Sequence, residues 1–89
     1  MEENQVQDLI VRLKRIEGQI RGLQAMLDKG KPAKAVVTQL SAARAALDKV
    51  GFSIIASELK RNLSIQLTGG KPHTQQDLKE IINLFMKLS

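Results

Sequence analysis

The sequence predicts an all-α protein of three helices, two long antiparallel ones followed by a short C-terminal one, assembled as an oligomeric helical bundle (a dimer or dimer of dimers). Three observations carry that expectation. Apolar residues recur at alternating steps of four and three along most of the 89-residue chain, the spacing of packed helices. The strong breaks are Gly30 with Pro32 and the Gly-Gly-Lys-Pro run at 69–72, which cut the pattern into three segments. The middle segment is also too long for the rest of so short a chain to cover.

The first segment runs from about Glu3 to Lys29, with Leu9, Leu13, Ile16, Ile20, Leu23 and Leu27 forming a seam. Its most informative stretch is RLKRIEGQIRG at 12–22. At about 100° per residue, Leu13, Ile16 and Ile20 make an apolar stripe. Arg12, Arg15 and Gln19 fall on one flank of that stripe, and Lys14 and Arg21 on the far side. Gly18 and Gly22 lie beside Arg15 as a strip of bare backbone. Glycine inside a helix costs about 1 kcal/mol relative to alanine. Two of them in one turn predict a close approach there, by another helix or by a sugar–phosphate backbone.

The second segment runs from about Pro32 to Leu67, with Val36, Leu40, Ala43, Leu47, Val50 and Ile54 as its seam. At 1.5 Å per residue such a helix is about 50 Å long, whereas a domain of this size has a radius of gyration of only about 13 Å. Ile54, Ile55, Leu59, Leu63, Ile65 and Leu67 therefore need cover from another chain, and Ala42, Ala43, Ala45 and Ala46 would let helices approach closely at that contact. The alternative is a chain reversal near Gly51, giving a four-helix monomer. Steps of four beyond Ile54 reach Glu58 and Asn62, a carboxylate and an amide where apolar residues should continue. Either the contact ends there in solvent, or the two line a polar pocket between chains for a cation or a small hydrogen-bonding ligand.

The third segment opens on Thr74 and Asp77, spaced as a capping box, and carries Leu78, Ile81, Ile82, Phe85 and Leu88 on its apolar face. The whole of 1–89 reads as one small domain.

Composition narrows the partner. Fourteen basic residues against nine acidic ones give a net charge of +5, favouring a polyanion, with nucleic acid ahead of a membrane surface. The excess sits within 12–21, where Arg12, Lys14, Arg15 and Arg21 face Glu17 alone, and along 31–68. With no cysteine, disulfides, thiolate metal sites and thiol chemistry are excluded. Two aromatics, Phe52 and Phe85, argue against a base-stacking single-strand binder. No apolar run approaches the roughly 20 residues of a membrane span, so the expected setting is cytoplasmic. His73, the one histidine, has no second histidine or cysteine to complete a metal site. Asp77 and Glu80 are accounted for by a helix start. No enzyme, metal or cofactor is expected.

RLKRIEGQIRG at 12–22 and VVTQLSAARAALDKVG at 36–51, together with the order and length of the helices, resemble the CsoR/RcnR/FrmR family of small all-helical bacterial transcriptional repressors. The resemblance spans nearly the whole chain. It implies antiparallel hairpins assembled into a dimer or flat tetramer that binds double-stranded operator DNA without a helix-turn-helix and lets go when an effector binds between protomers. The DNA face it implies carries over to Arg12, Arg15 and Gln19, then Lys14 and Arg21, with Arg44 and Lys49 on the second helix. Members that sense copper(I), nickel or cobalt, formaldehyde or persulfide use a cysteine near the start of the second helix, and here that position is Ala33. The later histidine and cysteine of the copper-type site fall on Glu58 and Asn62. All three sensor positions are thus replaced. Copper(I) wants thiolate or imidazole, so the expectation is a repressor with a non-thiol effector or none. The competing expectation is a helical adaptor whose basic face serves solubility only.

Overall fold

The computed structural model describes residues 1–67, 69 and 75–88, without the side chains of Gln66, of 75–77 and of Leu88. It has three helices, α1 (Glu3–Asp28), α2 (Ala33–Leu67) and α3 (Gln75–Leu88), and no strand among the described residues. Two compact units divide it, one of residues 2–50 and one from Gly51 onward. His73, Thr74 and the Asp77 side chain of the expected cap lie outside what is described.

The turn between α1 and α2 shows how sequence becomes a hairpin. Gly30 takes φ 67, a left-handed backbone that costs glycine nothing. Its amide donates to the Leu27 carbonyl at 3.1 Å, and that of Lys31 to Met26 at 2.9 Å. These two bonds satisfy the orphan carbonyls of a helix end in the Schellman pattern. Pro32 then accepts from the amides of Ala35 and Val36 at 3.0 and 3.1 Å. Pro32 therefore caps α2 rather than beginning it, one residue from the expected start.

Within residues 2–50 the hairpin closes on Leu9, Ile16, Ala43 and Val50, all buried. Gln19, Leu23 and Met26 from α1 and Val36, Gln39 and Ala46 from α2 are half-buried. The expected seam is only half right. Leu13, Ile20, Leu40 and Leu47 remain between 38% and 53% exposed. Each of these four stands four residues after a position on the hairpin seam, at 9, 16, 36 and 43, so each leans about 40° off it. In an antiparallel pair, equivalent offsets on the two helices lean to the same side. The four thus make one apolar face on the outside of the hairpin. The cause is the width of the stripe: it serves two contacts, of which the chain itself supplies one. Ala43 and Ala46 belong to the inner contact, while Ala42 and Ala45 are exposed.

From Gly51 onward, α2 continues unbroken to Leu67, which rules out the four-helix alternative. Gly51 serves packing instead. A Cβ there would run into the Phe85 ring of α3, 2.9 Å from its Cζ, so the missing side chain is the seat of Phe85. Phe52 meets the same ring edge-on, centroids 5.0 Å apart at 70°, a favoured aromatic geometry. Leu78, Ile82 and Phe85 of α3 are half-buried, and Ile81 sits at the exposed rim. Ile54, Ile55 and Ile65 are half-buried, whereas Leu59, Leu63 and Leu67 are exposed. No helix among the described residues is long and apolar enough to cross a membrane.

Candidate nucleic-acid interface

On the hairpin's other side, opposite the apolar face, the two helices diverge into a cleft of about 290 Å³. Arg12, Arg15, Ile16 and Gln19 line it from α1, and Ala46 and Lys49 from α2. Its construction follows from helix geometry. Arg12, Arg15 and Gln19 are displaced by −4, −1 and +3 from Ile16, which places them on one flank of that buried residue. Lys49 precedes buried Val50 on the facing helix and leans to the same side. Ala46 keeps the cleft open, since a larger side chain at that position would fill it.

Three cationic side chains and a carboxamide thus converge from two helices. Asp8 accepts from Nε of Arg12 at 3.1 Å, an exposed pair four residues apart. Such pairs contribute only about 0.3–0.5 kcal/mol, so an incoming phosphate can displace it. No ion pair forms at Arg15 among the described residues. The Oε1 atom of Gln19 is buried and meets no donor. A buried acceptor without a partner costs about 1–3 kcal/mol, a penalty that a hydrogen-bonding ligand in this cleft would relieve.

The other expected positions do not join the cleft. Lys14 and Arg21 stand on the far side of α1, exposed, and Arg21 contacts Glu17 at 3.7 Å. Arg44 is exposed on the flank of α2 that carries Leu40 and Leu47. Around Gly18 and Gly22 an added Cβ would meet nothing within 4 Å. Among the described residues of the hairpin nothing fills that strip of backbone beside Arg15. Sequence reasoning does not place Asp8 in the site and assigns Ala46 to helix packing alone. The i, i+4 spacing of Asp8 and Arg12 was available as a signal, whereas the role of Ala46 depends on the register of the two helices.

Ala33 is the exposed first residue of α2 and belongs to the hairpin unit. Glu58 and Asn62, one helical turn apart, belong to the other unit and are half-buried. Asn62 lines an open cleft of about 650 Å³ against α3, which Glu58 does not reach.

The comparison with known proteins decides the family. Residues 5–87 match the family described as metal-sensitive transcriptional repressor. The chain belongs to that family. It is 30% identical over 78 residues to the copper-sensing transcriptional repressor CsoR of Bacillus subtilis (strain 168), covering 88% of this chain and 75% of that one. Among solved structures, the nickel-responsive transcriptional regulator InrS superposes with a TM-score of 0.80 at 34% identity, covering 89% of this chain and 90% of its own. The copper-sensing repressor CsoR with Cu(I) from Geobacillus thermodenitrificans NG80-2 superposes with a TM-score of 0.77 at 27% identity, covering 99% and 90%.

Membership raises the question of a metal, and this chain's donors do not fit one of the soft kind. It contains no cysteine. A methyl group, a carboxylate and a carboxamide stand at 33, 58 and 62. Carboxylate and carbonyl oxygen suit harder ions than copper(I). Among the described residues no group of three or more His, Cys, Asp or Glu side chains is placed to hold a metal. This member of the metal-sensitive family lacks the means of sensing through a thiol.

Proposed function

We propose that residues 1–89 act as a single DNA-binding repressor domain in a homo-oligomer, and that the cleft of Arg12, Arg15, Gln19 and Lys49 is its contact with double-stranded operator DNA. The convergence of these side chains from both helices of the hairpin is the observation that carries the reading. Cationic side chains neutralise phosphates and release counterions, which gives affinity. Arginine also has the fork geometry to read guanine, and a glutamine amide can pair with adenine. Lys14, Arg21 and Arg44 point elsewhere and serve as peripheral charge. The open backbone at Gly18 and Gly22 admits the sugar–phosphate chain beside Arg15.

The apolar face of Leu13, Ile20, Leu40 and Leu47 supports a second copy of the chain as its cover. Burying a leucine or isoleucine fully is worth about 1.5–3 kcal/mol, and four of them side by side leave several kcal/mol unrealised in a lone protomer. Such an assembly repeats the basic cleft on one rigid body, so one duplex meets several clefts at once. Repression in this member is released by a non-thiol ligand or proceeds without one, with Ala33, Glu58 and Asn62 as the candidate effector positions.

The test is a gel-shift or anisotropy titration against the DNA upstream of the chain's own gene. Arg12→Ala combined with Arg15→Ala should weaken binding by about 2 kcal/mol or more and reduce the slope of log affinity against log salt by roughly two charges. Sedimentation should show the assembly unchanged. Wild-type affinity in the double variant would remove this cleft from the interface, and an adaptor would show no preference among promoter sequences.

A further inference from the structure

The cleft between α3 and the C-terminal half of α2 has no part in the DNA contact, and its lining differs from that of the basic cleft. Leu59, Leu63, Leu78 and Ile82 form its walls, Asn62 gives it one polar point, and Lys60 and Lys79 stand on it from opposite helices. We propose that it binds a small amphipathic anion: an aliphatic body of about ten carbons, one carboxylate or similar charged group, and one hydroxyl or N–H donor.

Each part of that description answers a feature of the site. A volume of about 650 Å³ lies within the usual range for small-molecule pockets, about 300–1,000 Å³, which are typically apolar with a few placed polar groups. The four aliphatic walls select the body. Neither Lys60 nor Lys79 makes an ion pair among the described residues, and two such lysines favour an anion over a cation. The Oδ1 atom of Asn62 is buried without a donor. Its amide turns on a soft terminal torsion and can swing to meet a donor on the ligand. Water is a poor substitute, because a bound water needs two to four polar partners and aliphatic walls give it few.

The proposal rests on the reading of Asn62 as an effector position and names the class of ligand; binding is read on the protein without DNA, so failure of the operator interface would leave it standing, and the reverse also holds. The experiment titrates the assembled full chain by calorimetry with 3-hydroxydecanoate, decanoate and decylammonium below their micelle concentrations. Methyl chemical shifts of Leu78 and Ile82 locate the site. The hydroxy acid should bind once per chain, decanoate about five- to tenfold more weakly for want of one hydrogen bond, and decylammonium not at all. Lys60→Glu combined with Lys79→Glu should lower the affinity of the hydroxy acid at least tenfold while leaving its neutral methyl ester unaffected. Asn62→Leu keeps the volume, removes the unmet acceptor, raises the melting temperature and erases the difference between the two acids. The proposal is overturned if the wild-type assembly takes up no acid saturably, if the cation binds as well as the anion, or if uptake ignores all three substitutions.

Discussion

Among the described residues, the hairpin unit and the α2–α3 unit each contain one carboxamide whose oxygen is buried without a donor, Gln19 in the first and Asn62 in the second. Their surroundings differ. Gln19 lies among Arg12, Arg15 and Lys49 with Ile16 beneath, whereas Asn62 lies among four aliphatic side chains with two lysines. In the two roles proposed above, the same polar group would serve a polyanion in one place and an amphiphile in the other. What sets the partner class is the neighbourhood, and the neighbourhood is set by which helix faces meet. Two further contacts underlie this contrast, the open face of the hairpin and the seat of Phe85, and each can be broken on its own.

The largest effect is expected at the hairpin's open face. Ile20→Glu combined with Leu47→Glu puts two carboxylates where a second copy should pack, and an unpaired charge taken out of water costs several kcal/mol. Both side chains are exposed in the protomer, so circular dichroism should keep its helical signal while sedimentation falls to the mass of one chain. Operator affinity should drop with assembly by at least tenfold, because the clefts no longer act together. An intact assembly in this variant would mean that the subunits meet elsewhere.

A smaller effect is expected at Gly51. Gly51→Ala sets a methyl group against the Phe85 ring, which must turn or withdraw. Overpacking of this kind costs about 1–3 kcal/mol, partly offset by the better helix propensity of alanine. The melting temperature should fall, and amide exchange should quicken in α3 but not in α1. If α1 loosens equally, the two units do not unfold separately, and the contrast between them weakens.

Much of this was legible beforehand. The three helices, the Gly30–Pro32 turn and the basic flank of α1 follow from spacing and break residues, because helix period and turn chemistry are local. The family, too, was legible in 12–22 and 36–51. What escaped the sequence was non-local. Spacing alone reads one apolar stripe as one seam, although Leu13 and Ile20 lean about 40° off the contact that buries Leu9 and Ile16. Periodicity reports that a face is apolar and does not report how many neighbours share it. Gly51 reads only as a place for a chain reversal, because nothing in the sequence places Phe85, thirty-four positions later, against it. For the same reason Asn62 was grouped with Glu58 by steps of four, and its actual companions Leu78 and Ile82 come from another helix.

The finest test concerns the glycine strip beside Arg15. In the protomer an added Cβ at Gly18 meets nothing within 4 Å, so Gly18→Ala gains helix propensity without a clash. The gain is up to about 1 kcal/mol, or roughly 4–8 °C in melting temperature for a domain of this size. If the strip is kept bare for the sugar–phosphate backbone, operator affinity should fall several-fold in the same, more stable variant. Stability and binding then move in opposite directions, which a purely structural glycine would not produce. A variant that melts higher and binds DNA as well as the parent would show that the backbone of the duplex does not pass over Gly18. The interface would then be confined to the cleft of Arg12, Arg15, Gln19 and Lys49.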